Sequence, residues 1–208
     1  MLASRVVFRG QYVVRCPRCL VEAKYCICAM FRPIETSTRI VMIAHVREVE
    51  KTTNTGRILL EMLPRAELHV RGLPGKGFAE IELDAEARPL VLHPDADEEL
   101  SVAHRHPGNV LLVPDGTWPQ SRRMLRREPI LARARRVRLP AGAPSSYRLR
   151  ESPTDVHLST LEAVARALAV LEGAEVETEL LSVFEAMVTR MLVTRGKLHE
   201  RVLDADPR

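Results

Sequence analysis

The chain has 208 residues, 46% of them hydrophobic, enough for one full-sized domain with a small appendage. Aromatic residues make up only 4%, so the core must be built from Leu, Val, Ala and Met, and the net charge of +4 is modest for the chain as a whole. No apolar run approaches the roughly eighteen residues of a membrane span, and residues 1–15 carry three arginines but no apolar block of signal-peptide length, so the expectation is a cytoplasmic protein with no membrane partner.

Residues 1 to about 35 form the first unit and hold all four cysteines. Cys16 and Cys19 are spaced as CxxC, which presents two thiolates from one tight turn. Cys26 and Cys28 follow as CxC, a tighter second knuckle. Four soft ligands over so short a span fit a structural zinc staple, with free or redox-active thiols as the alternative. Arg39 to Ala44 then reads as a buried strand ending at His45. Asn54 or Thr55 is placed to cap a helix carrying Ile58, Leu59, Met62 and Leu63, which Pro64 stops. On the sequence alone His45 is equally well a hydrogen-bonded bystander.

A short strand is expected over Glu67 to Val70, a Gly/Pro turn over 71–77, and a third strand over Pro89 to Leu92 ending in His93-Pro94-Asp95. An acidic helix is expected from about Ala96 to Arg105. His93, His104 and His106 share no helical face and carry no metal signature, so they read as surface histidines. Asn109 to Arg127 is the centre of the pattern. Val110 to Val113 is a continuous apolar run, as in a strand buried on both faces of a parallel sheet. Asp115, Gly116, Thr117 and Trp118, the only tryptophan, follow it directly. Pro119 suits the first turn of a helix carrying Arg122, Arg123, Arg126 and Arg127. Residues 121–138 contain eight arginines against a single acid, Glu128, a focused positive patch suited to a phosphate-bearing partner or, more blandly, a solvated helix face.

Arg135 to Leu139 reads as a last strand, and residues 140–153 as a loop containing Tyr147, Arg148 and Arg150. Ser159 with Glu162 three residues on makes a capping box for a helix running to Gly173, which by itself accounts for both residues. Glu175 to about Leu203 reads as one long amphipathic helix. No linker divides residues 36–208, so the chain is read as a zinc-binding segment over 1–35 and one α/β domain with a mostly parallel sheet and flanking helices over 36–208. Its polar turns should converge at the carboxyl edge of the sheet, where open α/β sheets bind ligands. No Walker motif occurs, and no GxGxxG follows a strand. Nothing in the sequence sets the oligomeric state.

Asp115-Gly-Thr-Trp118 followed by Pro-Gln-Ser-Arg-Arg-Met-Leu resembles the signature of the DTW-domain family, tRNA-uridine aminocarboxypropyltransferases. The cysteine cluster, His45-x-x-Glu48 with Thr53-Asn-Thr-Gly56, and Tyr147-Arg-Leu-Arg150 with Leu158-Ser-Thr-Leu-Glu-Ala163 resemble further motifs of that family, in family order. Pro114 departs from the pattern, standing where an ordinary strand residue is expected. The resemblance implies a SPOUT-like fold with a knotted carboxyl-terminal half. It also implies transfer of the 3-amino-3-carboxypropyl group of S-adenosylmethionine to N3 of a tRNA uridine, leaving methylthioadenosine. On that reading Asp115 accepts the N3 proton, or instead fixes the cofactor's amino group or a ribose hydroxyl. Trp118 stacks on a base or packs in the core. Gly116, Thr117, Trp118, Tyr147, Ser159 and Thr160 belong to the cofactor pocket, with Arg150 opposite the cofactor carboxylate. His45, Arg122, Arg123, Arg126 and Arg127 hold the RNA. The rival readings are an S-adenosylmethionine-dependent RNA methyltransferase and a non-catalytic zinc-containing RNA-binding module.

Overall fold

In a computed structural model of the chain, residues 5–8, 11–73, 75, 80–149 and 158–203 are described. A two-stranded antiparallel hairpin, β1 (Arg5–Phe8) and β2 (Gln11–Val14), comes first. Six strands form the main sheet: β3 (Arg39–His45), β4 (Ala66–Arg71), β5 (Arg88–Leu92), β6 (Glu98–Glu99), β7 (Asn109–Asp115) and β8 (Arg135–Arg138). Their order is β4-β3-β7-β5-β8-β6, and every pairing is parallel. β7 therefore lies inside the sheet, as its apolar run requires.

Alternation along the strands sorts the helices onto two faces, because successive side chains point to opposite sides of a sheet. Ile40, Met42, Leu90, Leu92, Leu111 and Val113 share one core with α2 (Gly56–Met62), α5 (Thr160–Leu171) and α6 (Ala174–Thr194). Val41, Ile43, Val91, Val110 and Leu112 pack instead with Met124 and Leu125 of α3 (Trp118–Arg127) and Leu131 of α4 (Pro129–Arg133). A short α1 (Val46–Val49) follows β3 directly. Phe184 on α6 is fully buried in the first core. Truncating such a side chain to alanine typically costs about 3–5 kcal/mol.

The cysteine segment is part of the same packing. Cys19, Val21 and Ile27 are fully buried within the first core, and Arg190 on α6 donates to the carbonyl of Cys26 at 3.0 Å.

Two elements differ from the sequence-based expectation. The acidic stretch after Pro94 is not a helix: Glu98 and Glu99 extend the sheet edge as β6, followed by a single 3₁₀ turn over Val102–His104. The reason is charge. Glu98 pairs with Arg135 and Glu99 with Arg138 of the neighbouring strand, the latter at 3.1 Å, which favours the extended conformation. The final helix also stops early, at Thr194. Gly196 at φ +65° lets the chain turn there, with Gly196 N–H donating to Val193 and Lys197 N–H to Leu192, a Schellman end. Residues 200–203 form a separate 3₁₀ turn.

Candidate active site and metal centre

Asp115 is the last residue of β7. Alternation places it on the face of Leu111 and Val113, toward α5. Two side chains reach it there. Asn54 Nδ2 donates to Oδ2 at 2.9 Å, and Thr160 Oγ1, from the first residue of α5, donates to Oδ1 at 2.7 Å. The sequence marked Asn54 and Thr55 as helix caps. Thr55 does occupy the N-cap position of α2, but its hydroxyl accepts from Leu161 N–H at 3.2 Å, so the Thr53-Asn-Thr-Gly turn ties α5 to the Asp115 carboxylate. Gly56 belongs to the same contact. A Cβ there would stand 3.1 Å from Met42 Sδ and 3.2 Å from Asn54 Oδ1, displacing the side chain that orients Asp115. Pro114 does not disturb this. The ladder from β5 ends at Val91–Leu112, whereas β3 continues beside β7 to Ala44–Asp115.

Asp115 stands on the wall of a cleft of about 560 Å³ over the carboxyl edge of the sheet. Sites for small molecules usually fall between about 300 and 1,000 Å³. One wall is α3 with Trp118 and Ser121, the other is the start of α5 with Ser159 and Thr160, and residues 139–144 after β8 close the space. Ser159 caps α5, accepting from Glu162 N–H at 3.3 Å. Glu162 is only 2% exposed and also accepts from Ser145 Oγ at 2.8 Å and Ser146 N–H at 2.8 Å. Its capping role is therefore half of its work. The other half is holding the loop after β8 against the mouth of α5.

Of the expected pocket residues, Asp115, Gly116, Trp118, Ser159 and Thr160 all line the cleft. Thr117 is exposed at the N-cap of α3, its N–H donating to Gln120 Oε1 at 2.7 Å. Tyr147 stands behind the wall: its ring lies 5.8 Å from that of Phe184, and its hydroxyl donates to Thr53 O at 2.6 Å. Arg150 lies outside the described residues. His45 sits on the opposite face of β3 from Met42 and caps α1, accepting from Arg47 N–H at 3.2 Å. Arg122, Arg123, Arg126 and Arg127 are all exposed on α3. Arg122 pairs with Asp95 at 3.2 Å. The one acid of the patch, Glu128, is turned inward to a buried bidentate pair with Arg71 at 2.8 and 3.1 Å, so it does not offset the arginines exposed on α3.

Sequence reasoning missed His93. It is 4% exposed, not a surface histidine, and lines the cleft. Its ring meets Trp118 edge to face, centroids 5.9 Å apart and planes at 87°. Burial pushes its pKa below the ordinary histidine value, with Arg136 and Arg122 adding to the effect and Asp95 opposing it. A polar residue directly after the apolar run of β5 was the available signal.

At the candidate metal centre all four cysteines are unbridged, and their sulfurs lie within 4.8 Å of one another. Cys16 and Cys28 are 3.6 Å apart, Cys19 and Cys26 3.8 Å. Tetrahedral zinc with bonds of about 2.3 Å to sulfur places its ligands about 3.8 Å apart, so the donor set fits that ion. Burial resists ionising Cys16, but the backbone N–H groups of Cys19 and Arg18 turned toward its sulfur bring its pKa down to about 7. None of the four cysteines lines the cleft with Asp115.

The family model described as the DTW domain matches residues 13–192. The chain is 30% identical over 171 residues to tRNA-uridine aminocarboxypropyltransferase 2 of Macaca fascicularis, covering 76% of this chain and 56% of that protein. It is 31% identical over 170 residues to the Mus musculus protein of that name, with the same coverage of 76% and 56%. The Drosophila melanogaster protein of that name is 34% identical over 172 residues, covering 76% and 67%. The match thus spans little more than half the length of the two mammalian relatives.

Proposed function

The chain belongs to the DTW-domain family, and from that membership we propose that it transfers the 3-amino-3-carboxypropyl group of S-adenosylmethionine to N3 of a uridine in tRNA, releasing methylthioadenosine. The observation that carries this reading is Asp115, a carboxylate held by two donors on the wall of a cleft large enough for a nucleoside cofactor. S-adenosylmethionine supplies a carbon already activated by a sulfonium leaving group. The protein has to supply a proton acceptor, a place for the base and a grip on the RNA.

Uridine N3 carries a proton at neutral pH. Asp115 accepts it as the N3–carbon bond forms and the carbon–sulfur bond breaks, with the electron pair departing on sulfur. Asn54 and Thr160 each engage one carboxylate oxygen, which fixes the group while leaving a lone pair on each oxygen for the substrate. Trp118 offers an indole for a base taken out of its stack. Gly116, Ser159 and the segment 139–144 surround the cofactor. The exposed arginines of α3 take phosphates, which sets register without reading sequence. The four cysteines hold a structural zinc ion, and the enzyme works in the cytoplasm. A SPOUT-like, knotted carboxyl-terminal half belongs to the same proposal.

The test is product analysis with purified protein, tRNA and S-adenosylmethionine. Methylthioadenosine is expected, and S-adenosylhomocysteine instead would make the protein a methyltransferase. Asp115→Asn should lower turnover about a hundredfold or more, the usual range for a positioned base. Full transfer by that variant would remove Asp115 from the role of base.

A further inference from the structure

The cleft contains a hydrogen-bond donor that the proposed reaction leaves unused. His93 Nδ1 accepts from Asp95 N–H at 3.2 Å. In a neutral imidazole one nitrogen accepts and the other carries the proton, so Nε2 is the N–H donor. That Nε2 is buried and has no hydrogen-bond partner among the described residues. A buried donor without a partner is destabilising and rare in folded proteins, so such an atom calls for an explanation. Core packing does not supply one, because His93 lines the cleft beside Trp118 and its neighbours could have been satisfied by an apolar ring.

Position narrows the ligand. β5 and β7 pair in register through Val91 and Leu112, so His93 and Asp115 leave neighbouring strands two and three residues further on. The cleft thus presents a donor on its α3 side and an acceptor on its α5 side, both at one sheet edge. Uracil matches this pair, with N3–H for the acceptor and an adjacent carbonyl for the donor, a pattern that among the bases only the N1–H and C6 carbonyl of guanine also offers. Cytosine presents a lone pair at N3 and would leave Asp115 facing another acceptor.

We propose that His93 is a specificity-determining residue, donating from Nε2 to a carbonyl oxygen of the target uracil while Asp115 addresses N3. This rests on the reading of the site as a uridine transferase. The experiment compares His93→Phe, which keeps a ring but removes the donor, with His93→Gln, whose amide restores one. For His93→Phe the expected result is a loss of about tenfold in kcat/KM for tRNA, the equivalent of one hydrogen bond of about 1.4 kcal/mol. Affinity for S-adenosylmethionine without tRNA should not change, and His93→Gln should recover most of the loss. Activity of His93→Phe within twofold of wild type would overturn the proposal. So would weakened S-adenosylmethionine binding by the same factor, which would give the donor to the adenine. Should the variants not fold, ¹⁵N spectra of the histidines in the wild-type protein decide. With methylthioadenosine present, the His93 Nε2–H signal should move on adding tRNA, and a stationary signal sinks the idea. Wild-type protein that forms no methylthioadenosine but shows that shift would fail the proposed reaction and leave the base contact standing.

Discussion

Single side chains do more of the positioning in this molecule than helix or strand propensity does. Glu172, at the C-cap of α5, accepts from Ser37 N–H at 3.1 Å and Thr38 N–H at 2.8 Å, and from both hydroxyls. It thereby ties the α5–α6 junction to the residues that enter β3. Burial opposes its ionisation, but the hydrogen bonds from Thr38 and Ser37 prevail and hold its pKa below the ordinary glutamate value. A carboxyl group depressed by folding contributes stability above its unfolded pKa and loses it as pH falls through the folded one. Glu172→Gln should therefore flatten the acid limb of the stability curve, with the difference from wild type present at neutral pH and vanishing under acid. Urea unfolding at a series of pH values measures this, and parallel curves would show that Glu172 contributes nothing through its charge. Glu172 and Glu162 also mark what the sequence concealed. Both sit at helix ends, where capping explains Glu162 locally and nothing local explains Glu172, whereas their partners Ser37, Thr38, Ser145 and Ser146 lie 16 to 135 residues away in sequence. Asn54 is the same case for Asp115. His93 was misread because a histidine after a strand looks solvated until the helix that buries it, α3, is in place.

Periodicity made the elements more legible than the contacts between them. The apolar runs of β3, β5 and β7 show as strands because burial on both faces leaves no polar positions, and α3 shows as a helix because Pro119 and the basic residues after it fall in order. The pattern misled in two ways: β8's arginines, distant in sequence, draw Glu98 and Glu99 into a strand, and a local signal, Gly196 in the left-handed region, ends α6 before the apolar periodicity does. Helix α3 is the element with a clear function in the proposed reaction. It buries Ser121, Met124 and Leu125 and turns Arg122, Arg123, Arg126 and Arg127 outward. Because Arg122 is paired with Asp95, Arg126 and Arg127 are the better phosphate ligands. Replacing both with alanine should weaken tRNA binding and reduce the slope of log affinity against log salt by about two, one for each phosphate no longer neutralised. Filter binding at several salt concentrations reads that slope, and an unchanged slope would make the patch a solvated face only.

At the scale of the molecule, the cysteine segment joins parts of the chain that are far apart. Arg18 pairs with Glu61 on α2, Arg57 from α2 donates to Arg18 O at 3.3 Å, and Arg190 on α6 donates to Cys26 O. Lys24 reaches Glu200 at 2.9 Å, beyond the end of α6. Cys19, Val21 and Ile27 complete the core between these helices. An ion that fixes the four sulfurs thus fixes the surface against which α2 and α6 pack, and α2 begins at the turn that orients Asp115. Four thiolates without a metal would instead crowd like charges, and four thiols would leave the short CxxC and CxC turns to hold their shape unaided. Purified protein should accordingly contain one zinc per chain by elemental analysis. Chelation, or Cys19→Ser, should lower Tm by on the order of 10 °C, as follows from a loss of about 3 kcal/mol or more at the few degrees per kcal/mol usual for a chain of this size. Transfer activity measured well below the lowered Tm should persist at a reduced level, because no ligand of the metal faces the cleft. Complete loss of activity in a zinc-free protein that remains folded would give the ion a direct part in the reaction, and a zinc-free protein with unchanged Tm would leave the cysteines as thiols.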